Sequence, residues 1–473
     1  MPSATKPDAV PFSRLNRSSL ANRIGLRVAI YFLSGRDCGL AKWSGDVTAT
    51  QDSGAFKALL RRQLAESRGQ TDAIFDIVHS DALYERPIEE RHRIIFYLGH
   101  LETFDWNMVC GTSFDLSPLH PEFERLFAFG IDPVNGKLPD DKASDWPRVE
   151  MVRRYNLEVR AAVDWCLDKA DLSTSEQPHV KDGLIFWTAI EHRLMHLETL
   201  SYMLHWLPLE MKQGLSRPVP DSQPRPASRP TRVPAGQARL GGYRDDGSTF
   251  GWDNEFEGHF VNVPEFEIDV YKVSNGEFLE FLRAGGYEER SLWSEDGWSW
   301  IHASDIRHPK FWLKRGTEWW YRAMFGEIPL PLSWPVYVSH AEASAYASWR
   351  HKSLPTEAEF HRAAEGQEEY GNFGLRRWEP APVHSNERAR SASGVVEMVG
   401  NGWEWTSSAF MPFPGFERYP FYPGYSADFF DSKHFVLKGA SPRTASRLIR
   451  LSFRNWFQPC YPYIYSGFRC VQR

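Results

Sequence analysis

The sequence predicts an α+β protein in two parts, a four-helix bundle followed by an irregular module of short strands and long loops. Three observations carry that prediction. Residues 51–80, 86–112, 147–170 and 179–207 repeat apolar side chains at three- and four-residue spacing, the pattern of amphipathic helices. Residues 216–236 hold six prolines and four arginines with no periodicity, which fits an extended, semi-rigid connector. Beyond residue 236 Gly, Pro, Trp and Tyr take over, and 13 of the 19 tryptophans lie there.

In the first part, Asp145-Trp146-Pro147 reads as a helix start and Leu207-Pro208 as a stop. Four segments separated by Pro- and Asp-bearing turns fit an antiparallel bundle. Residues 1–50 read as an N-terminal extension with a short helix and a tail. In the second part the apolar runs are short, at 260–263, 266–270, 336–338, 395–398 and 435–437, and only 274–284 and 339–349 carry helical spacing. The expected organisation is therefore an extension over 1–50, a bundle over 51–212, a linker over 213–236 and a mixed domain over 237–473.

Composition excludes several classes. The chain has 473 residues, 42% of them apolar and 25% charged, which describes a globular protein with ample core. A formal charge of −6 gives no electrostatic support for a nucleic-acid partner. The stretch 24–33 is too short for a secretion signal and is broken by Arg27, and no window reaches 18 uninterrupted apolar residues, so no membrane partner is expected. The five cysteines, Cys38, Cys110, Cys166, Cys460 and Cys470, form no CxxC. An odd, sparse set fits a reducing compartment, and the expected location is cytoplasmic.

The chemistry-bearing motif of the first part is Glu191-His192-Arg193-Leu194-Met195-His196-Leu197-Glu198-Thr199. Histidines four apart share one helix face and can chelate one ion. That spacing alone is a weak signal. The letters His-Leu-Glu-Thr occur again at His100-Leu101-Glu102-Thr103, on a second apolar helix. Facing helices of a bundle deliver ligands inward, so His100, His192 and His196 form a three-nitrogen set. Neutral imidazoles suit Fe(II), Zn(II) or Cu(II), and three of them leave positions open. Glu102 and Glu198 are candidate acceptors for imidazole N–H groups, with a solvated helix face as the plain alternative.

The second part contains Gly394-Val395-Val396-Glu397-Met398-Val399-Gly400-Asn401-Gly402-Trp403-Glu404-Trp405-Thr406, Leu437-Lys438-Gly439-Ala440-Ser441, Ser452-Phe453-Arg454-Asn455-Trp456 and Ser466-Gly467-Phe468-Arg469-Cys470. It also has Phe250-Gly251-Trp252-Asp253-Asn254-Glu255, Val273-Ser274-Asn275-Gly276-Glu277-Phe278 and Leu354-Pro355-Thr356-Glu357-Ala358-Glu359. These runs, over nearly all of 237–473, resemble the formylglycine-generating-enzyme (sulfatase-modifying-factor) fold, a C-type-lectin-like architecture. The first part resembles the DinB-like bundle with its three-histidine metal site.

Together the two parts resemble the sulfoxide synthases of ergothioneine and ovothiol biosynthesis and the related selenoneine synthase. The resemblance implies Fe(2+) as cofactor, held by His100, His192 and His196. It implies an O2-dependent reaction that attaches sulfur or selenium from a thiol or selenosugar donor to the imidazole of hercynine or histidine. It places Asn455, Trp456, Trp403 and Arg454 at the imidazole substrate, where amide and aromatic groups suit a carboxylate and a trimethylammonium. It also implies a tyrosine near the iron, for which Tyr419 and Tyr422 are the candidates.

The sequence departs from the mycobacterial-type ergothioneine enzyme in three places. Leu194 and Met195 stand where that branch has two glutamines. Phe129-Gly130-Ile131-Asp132-Pro133-Val134-Asn135-Gly136-Lys137 replaces a loop with a donor-binding arginine pair, and Phe457 follows Asn455-Trp456 where that branch has an acidic residue. These changes argue against γ-glutamylcysteine as donor. The His-x-x-x-His-Leu-Glu-Thr form is closer to the ovothiol and selenoneine branches. No methyltransferase follows Gly467-Phe468-Arg469-Cys470, which favours hercynine with a selenosugar or cysteine. The alternatives are an ovothiol-type enzyme acting on histidine and cysteine, a zinc-dependent DinB-type thiol transferase, and a non-catalytic lectin-like binding protein. A formylglycine-generating enzyme needs paired cysteines, and Cys460 and Cys470 do not form that pattern.

Overall fold

In a computed structural model the described residues are 53–128, 141–213, 223–224, 226–227, 229–244, 250–367 and 370–473. The expected extension over 1–50, the loop from Phe129 to Lys137 and much of the proline-rich stretch lie outside them. By contacts the chain divides into Met1–Asp46 and Val47–Arg473, and everything below belongs to the second unit.

Helices α1 (Ser53–Phe75), α2 (Ile94–Asp105), α4 (Val149–Lys169) and α5 (Leu184–Trp206) build the bundle, and the short α3 (Pro121–Leu126) follows α2. α1 packs on α5, and α2 packs on both α4 and α5. α1 and α4 carry charged outer faces, whereas α2 is buried along its whole length and α5 nearly so. A helix apolar on every side needs neighbours on every side. α5 finds them in the bundle on one flank and in the C-terminal half on the other. It begins later than the periodicity suggests because Asp182 and Gly183 take positive φ, 54° and 69°, and it ends where Leu207 turns extended before Pro208. Past Asp105, residues Trp106–Ser113 continue α2 with wider π-helical winding.

The C-terminal half contains two main sheets. One has the order β10 (Asn455–Phe457), β9 (Phe435–Ala440), β8 (Gly402–Ala409), β11 (Ser466–Gly467), with β11 parallel to β8. The other joins β1 (Pro230–Val233), β4 (Phe266–Asp269) and β12 (Val471–Gln472), and a hairpin β2 (Gly236–Leu240)–β3 (His259–Val263) lies apart from it. β5 (Trp312–Arg315), β6 (Glu318–Ala323) and β7 (Gly326–Pro329) form a meander. Helices α6 (Asn275–Arg283), α7 (Glu295–Ala303), α8 (His340–Trp349) and α9 (Glu357–Ala363) complete the half.

Capping explains two of the sequence motifs. Ser274 with Glu277 and Thr356 with Glu359 form capping boxes that start α6 and α9, so Val273-Ser274-Asn275-Gly276-Glu277 and Leu354-Pro355-Thr356-Glu357-Ala358-Glu359 are helix-start signals.

Several expectations need correction. The connector is not irregular to residue 236: Pro230–Val233 pairs antiparallel with β4, with Pro230 opposite Asp269. Proline is tolerated there because it opens an edge strand. α7 and α9 escaped notice because nine- and seven-residue helices are shorter than the window in which periodicity is legible. The run 336–338 is loop, with Val336 N–H donating to Val273 O and Val338 N–H to Ser466 O. One buried apolar cluster spans both halves, from Leu60 and Leu200 to Tyr465 and Phe468.

α5 is the seam between the halves. Its polar residues Glu191, Glu198 and His205 recur every seven positions, so they share one face, and that face meets the C-terminal half. Glu191 accepts from Arg450 and from Trp252 Nε1 (3.0 Å). Glu198 accepts from Trp403 Nε1 (2.7 Å), Thr444 Oγ1 (2.7 Å) and Ser441 Oγ. His205 bonds Arg322 O through Nε2 (2.7 Å) and Tyr465 OH through Nδ1 (3.2 Å).

Candidate metal centre

The neighbouring stripe of α5 carries His192 and His196, turned toward His100 on α2. Their ligand nitrogens all lie within 4.8 Å of one another, and all three residues are buried. Among the described residues no other group of His, Cys, Asp or Glu meets that spacing. His192 Nε2 and His196 Nε2 stand 3.1 Å apart. Two nitrogens about 2.1 Å from one ion, at angles between octahedral and tetrahedral, would be about 3.0–3.4 Å apart.

The electronic state of the rings also fits. His100 Nδ1 donates to Phe127 O over 2.7 Å, which leaves Nε2 as the lone-pair nitrogen, and that atom is buried with no hydrogen-bond partner in the protein. Burial lowers the His100 pKa to about 4, partly offset by the Phe127 bond. Burial, and then the charge of the neighbouring groups, holds His192 and His196 well below the ordinary histidine value. Three neutral imidazoles with nitrogens gathered in an apolar pocket suit a divalent transition metal.

Aromatic rings surround the centre. Phe96 stacks on His100 (centroids 4.8 Å, 20°) and Phe104 on His192 (3.4 Å, 12°), while Tyr97 lies 5.7 Å from His196. From the C-terminal half Tyr422 meets Phe104 edge-on at 5.2 Å, and Tyr425 OH donates to Met195 Sδ at 3.4 Å. Tyr425 also stacks on Trp252 at 3.9 Å. Arg91 donates through Nε to Tyr461 OH (2.8 Å), and Phe457 stacks on Tyr461.

The two acidic residues expected to orient imidazoles do something else. Residues two apart on a helix point about 200° from each other, so Glu102 and Glu198 face away from His100 and His196. Glu102 is held by Arg193 and by Arg160 Nε (2.8 Å), and Arg193 Nη2 also donates to Asp105 (2.7 Å). This buried ion network ties α2 to α5 on the side away from the three histidines. Neither glutamate is a solvated surface group, since both are buried.

Tyr419 OH donates to Gly251 O and its ring stacks on Phe421, so of the two tyrosine candidates Tyr422 is the one whose ring meets Phe104, the ring on His192. Trp456 lies flat on Phe410 (4.2 Å, 6°) and edge-on to Tyr425, and Asn455 Oδ1 accepts its neighbour's N–H from Trp456. Trp403 and Arg454 were expected at the substrate, but their donors are engaged within the fold. Trp403 bonds Glu198, and Arg454 grips Glu357 (3.1 and 3.2 Å) and the carbonyls of Asn254 and Met411. Sequence reasoning missed Phe104 and Arg193, and within the aromatic stretch from Tyr419 to Tyr425 it favoured Tyr419 and Tyr422 over Tyr425. The signal for the seam was present, in Glu191, Glu198 and His205 at seven-residue spacing along one face of α5.

Residues 216–473 match the sulfatase-modifying factor enzyme 1-like domain family. The chain is 31% identical over 439 residues to the hercynine oxygenase of Mycolicibacterium thermoresistibile, covering 87% of this chain and 94% of that protein. The chain belongs to the ergothioneine sulfoxide synthase family. It is also 34% identical over 380 residues to the hercynine oxygenase of Mycolicibacterium smegmatis, covering 74% of this chain and 83% of the relative. A family member from Neurospora crassa, ergothioneine biosynthesis protein 1, is 26% identical over 83% of this chain, which spans 55% of that longer protein. No helix among the described residues is long and apolar enough to cross a membrane.

Proposed function

We propose that this protein is a mononuclear non-haem iron(II) enzyme that uses O2 to join sulfur or selenium to the imidazole ring of hercynine. The observation that carries the reading is the convergence of three buried, neutral imidazoles from α2 and α5 in a chain of this family. We take the bundle as DinB-type, with His100, His192 and His196 as the iron ligands. Bound there, the ion supplies open positions for the donor's anion and for O2.

The overall change balances: imidazole C–H, donor S–H and O2 give a C–S bond, a sulfoxide oxygen and one water. Forming the C–S bond and oxidising sulfur to the sulfoxide each deliver two electrons to O2. A selenol donor that stops at the selenoether delivers two electrons and two protons, which take O2 to hydrogen peroxide instead of water.

The chain's own residues hold the reactants for this step. Trp456, Phe410, Tyr425 and Tyr422 form an aromatic wall from the C-terminal half beside the bundle's ligands. Its ring faces suit the trimethylammonium of hercynine. Asn455 offers an amide to the carboxylate or ring nitrogen. We assign Tyr422, whose ring meets the ring stacked on His192, to take or return the ring proton through its phenol oxygen. Alignment of donor, O2 and imidazole across the seam is where the domain arrangement lowers the barrier.

The test is reconstitution with Fe(II) in air, with hercynine or histidine offered against cysteine, γ-glutamylcysteine and a selenosugar, and products read by mass. A C–S or C–Se adduct of hercynine is expected. Histidine with cysteine as the sole productive pair would move the assignment to the ovothiol type. Zinc-supported, O2-independent transfer would make it a thiol transferase, and a chain that takes up no metal would point to a lectin-like binding protein.

A further inference from the structure

His100 and His192 are held in different ways. The His100 ring is fixed by its Nδ1–H donated to Phe127 O. His192 Nδ1 is buried with no hydrogen-bond partner in the protein, and what meets this ring is the face of Phe104, 3.4 Å between centroids and 12° from parallel. Phe104 stands four residues after His100, so the two share the face of α2 that looks at α5. Tyr422 meets Phe104 edge-on at 5.2 Å.

We infer that Phe104 is a positioning residue for the metal: it fixes the plane of the His192 imidazole, and so the aim of Nε2, in place of the hydrogen bond that orients His100. The inference rests on the metal-enzyme reading above. Metal-bound imidazoles are ordinarily oriented by a hydrogen bond at the other ring nitrogen. A ring pressed face-on restricts the same rotation about χ2 without an acceptor. His196 Nδ1 is likewise buried with no hydrogen-bond partner in the protein, but the duplicated motif puts no ring at the position matching Phe104. His100-Leu101-Glu102-Thr103 is followed by Phe104, whereas His196-Leu197-Glu198-Thr199 is followed by Leu200, which packs into the core.

The test is metal affinity of the whole chain. Co(II) binding is followed by its d–d absorption and Fe(II) binding by competition with a chelator, for wild type, Phe104→Leu and Phe104→Tyr. Leucine keeps apolar volume and removes the flat face; tyrosine restores it. Phe104→Leu is expected to bind metal about tenfold more weakly, with an altered Co(II) spectrum, at the loss typical of a ligand-orienting contact. Phe104→Tyr is expected to recover both. Thermal unfolding of the metal-free forms separates a lost fold from a lost site, and Phe104→Met replaces the leucine variant if that one fails to fold. Wild-type affinity and spectrum in a folded Phe104→Leu or Phe104→Met protein would overturn the inference and leave the iron reading standing. A wild type that binds neither ion would overturn both.

Discussion

The indole N–H of Trp403 reaches Glu198 Oε1 over 2.7 Å, joining strand β8 to the helix that carries two of the three histidines. Ser441 and Thr444 donate to the same carboxylate, so one buried acid receives three donors from the C-terminal half. Removing the acceptor strands three buried donors. Glu198→Ala is expected to destabilise the metal-free protein by about 3 kcal/mol, read from the urea midpoint at unchanged m-value. A loss below about 0.5 kcal/mol would mean that the seam does not depend on this acid.

Glu102 offers a cleaner separation of stability from metal binding. Its partners are Arg193 and Arg160, not an imidazole. Glu102→Gln should therefore cost about 2–4 kcal/mol, because it removes one of the two carboxylates that balance the buried guanidinium of Arg193 and leaves Asp105 alone with it. Metal content per folded chain should stay at the wild-type level. Loss of metal without loss of stability would restore the imidazole-orienting role.

Glu379 supplies a pH signature. Burial raises its pKa from 4.5 to about 7, against the Met324 N–H bond and the charges of Lys212 and Arg443. A raised carboxyl pKa means that its contribution is fully present below the unfolded value and is lost as pH rises through the folded one. Between pH 4.5 and 7 the wild type should lose stability relative to Glu379→Gln, by at most about 3 kcal/mol. Lys212, lowered to about 7 mainly by burial, runs the opposite way; the Glu379 charge raises it, so removing that charge widens the difference between the two curves in the same direction. Parallel stability–pH curves for the two would contradict the assignment.

The two tyrosine candidates should part company. Tyr422 meets the ring that covers His192, whereas Tyr419 donates its hydroxyl to Gly251 O. Tyr422→Phe is expected to lower kcat by about 100-fold with little change in melting temperature, the size typical of a lost acid–base group. Tyr419→Phe should lower stability and leave kcat near wild type. The reverse pattern would exchange their roles.

Much of the three-histidine cluster was legible in the sequence because its members obey helical arithmetic. His192 and His196 needed only a four-residue spacing, and the repeated His-Leu-Glu-Thr pointed to the partner helix. The same arithmetic also held the answer for Glu102 and Glu198: a residue two positions from a ligand cannot look at the same ion, so their partners lie elsewhere. Phe104 was not legible, because a stacking partner leaves no mark beyond being aromatic in a chain rich in aromatics. In the C-terminal half the strands of β5 to β7 and the short helices α7 and α9 hid for a related reason, since loops held by tryptophan packing break any window wide enough to reveal a period. Pro230 hid β1 by advertising a linker where it opens an edge strand.

The measurement that tests the three-histidine centre most directly is iron stoichiometry after anaerobic loading and desalting, on wild type and on His100→Ala, His192→Ala and His196→Ala. About one Fe(II) per wild-type chain is expected, with each alanine variant folded and largely iron-free, because two imidazoles hold a divalent ion far less tightly than three. Stoichiometric iron in any of the three variants would remove that histidine from the ligand set and contradict the centre as described.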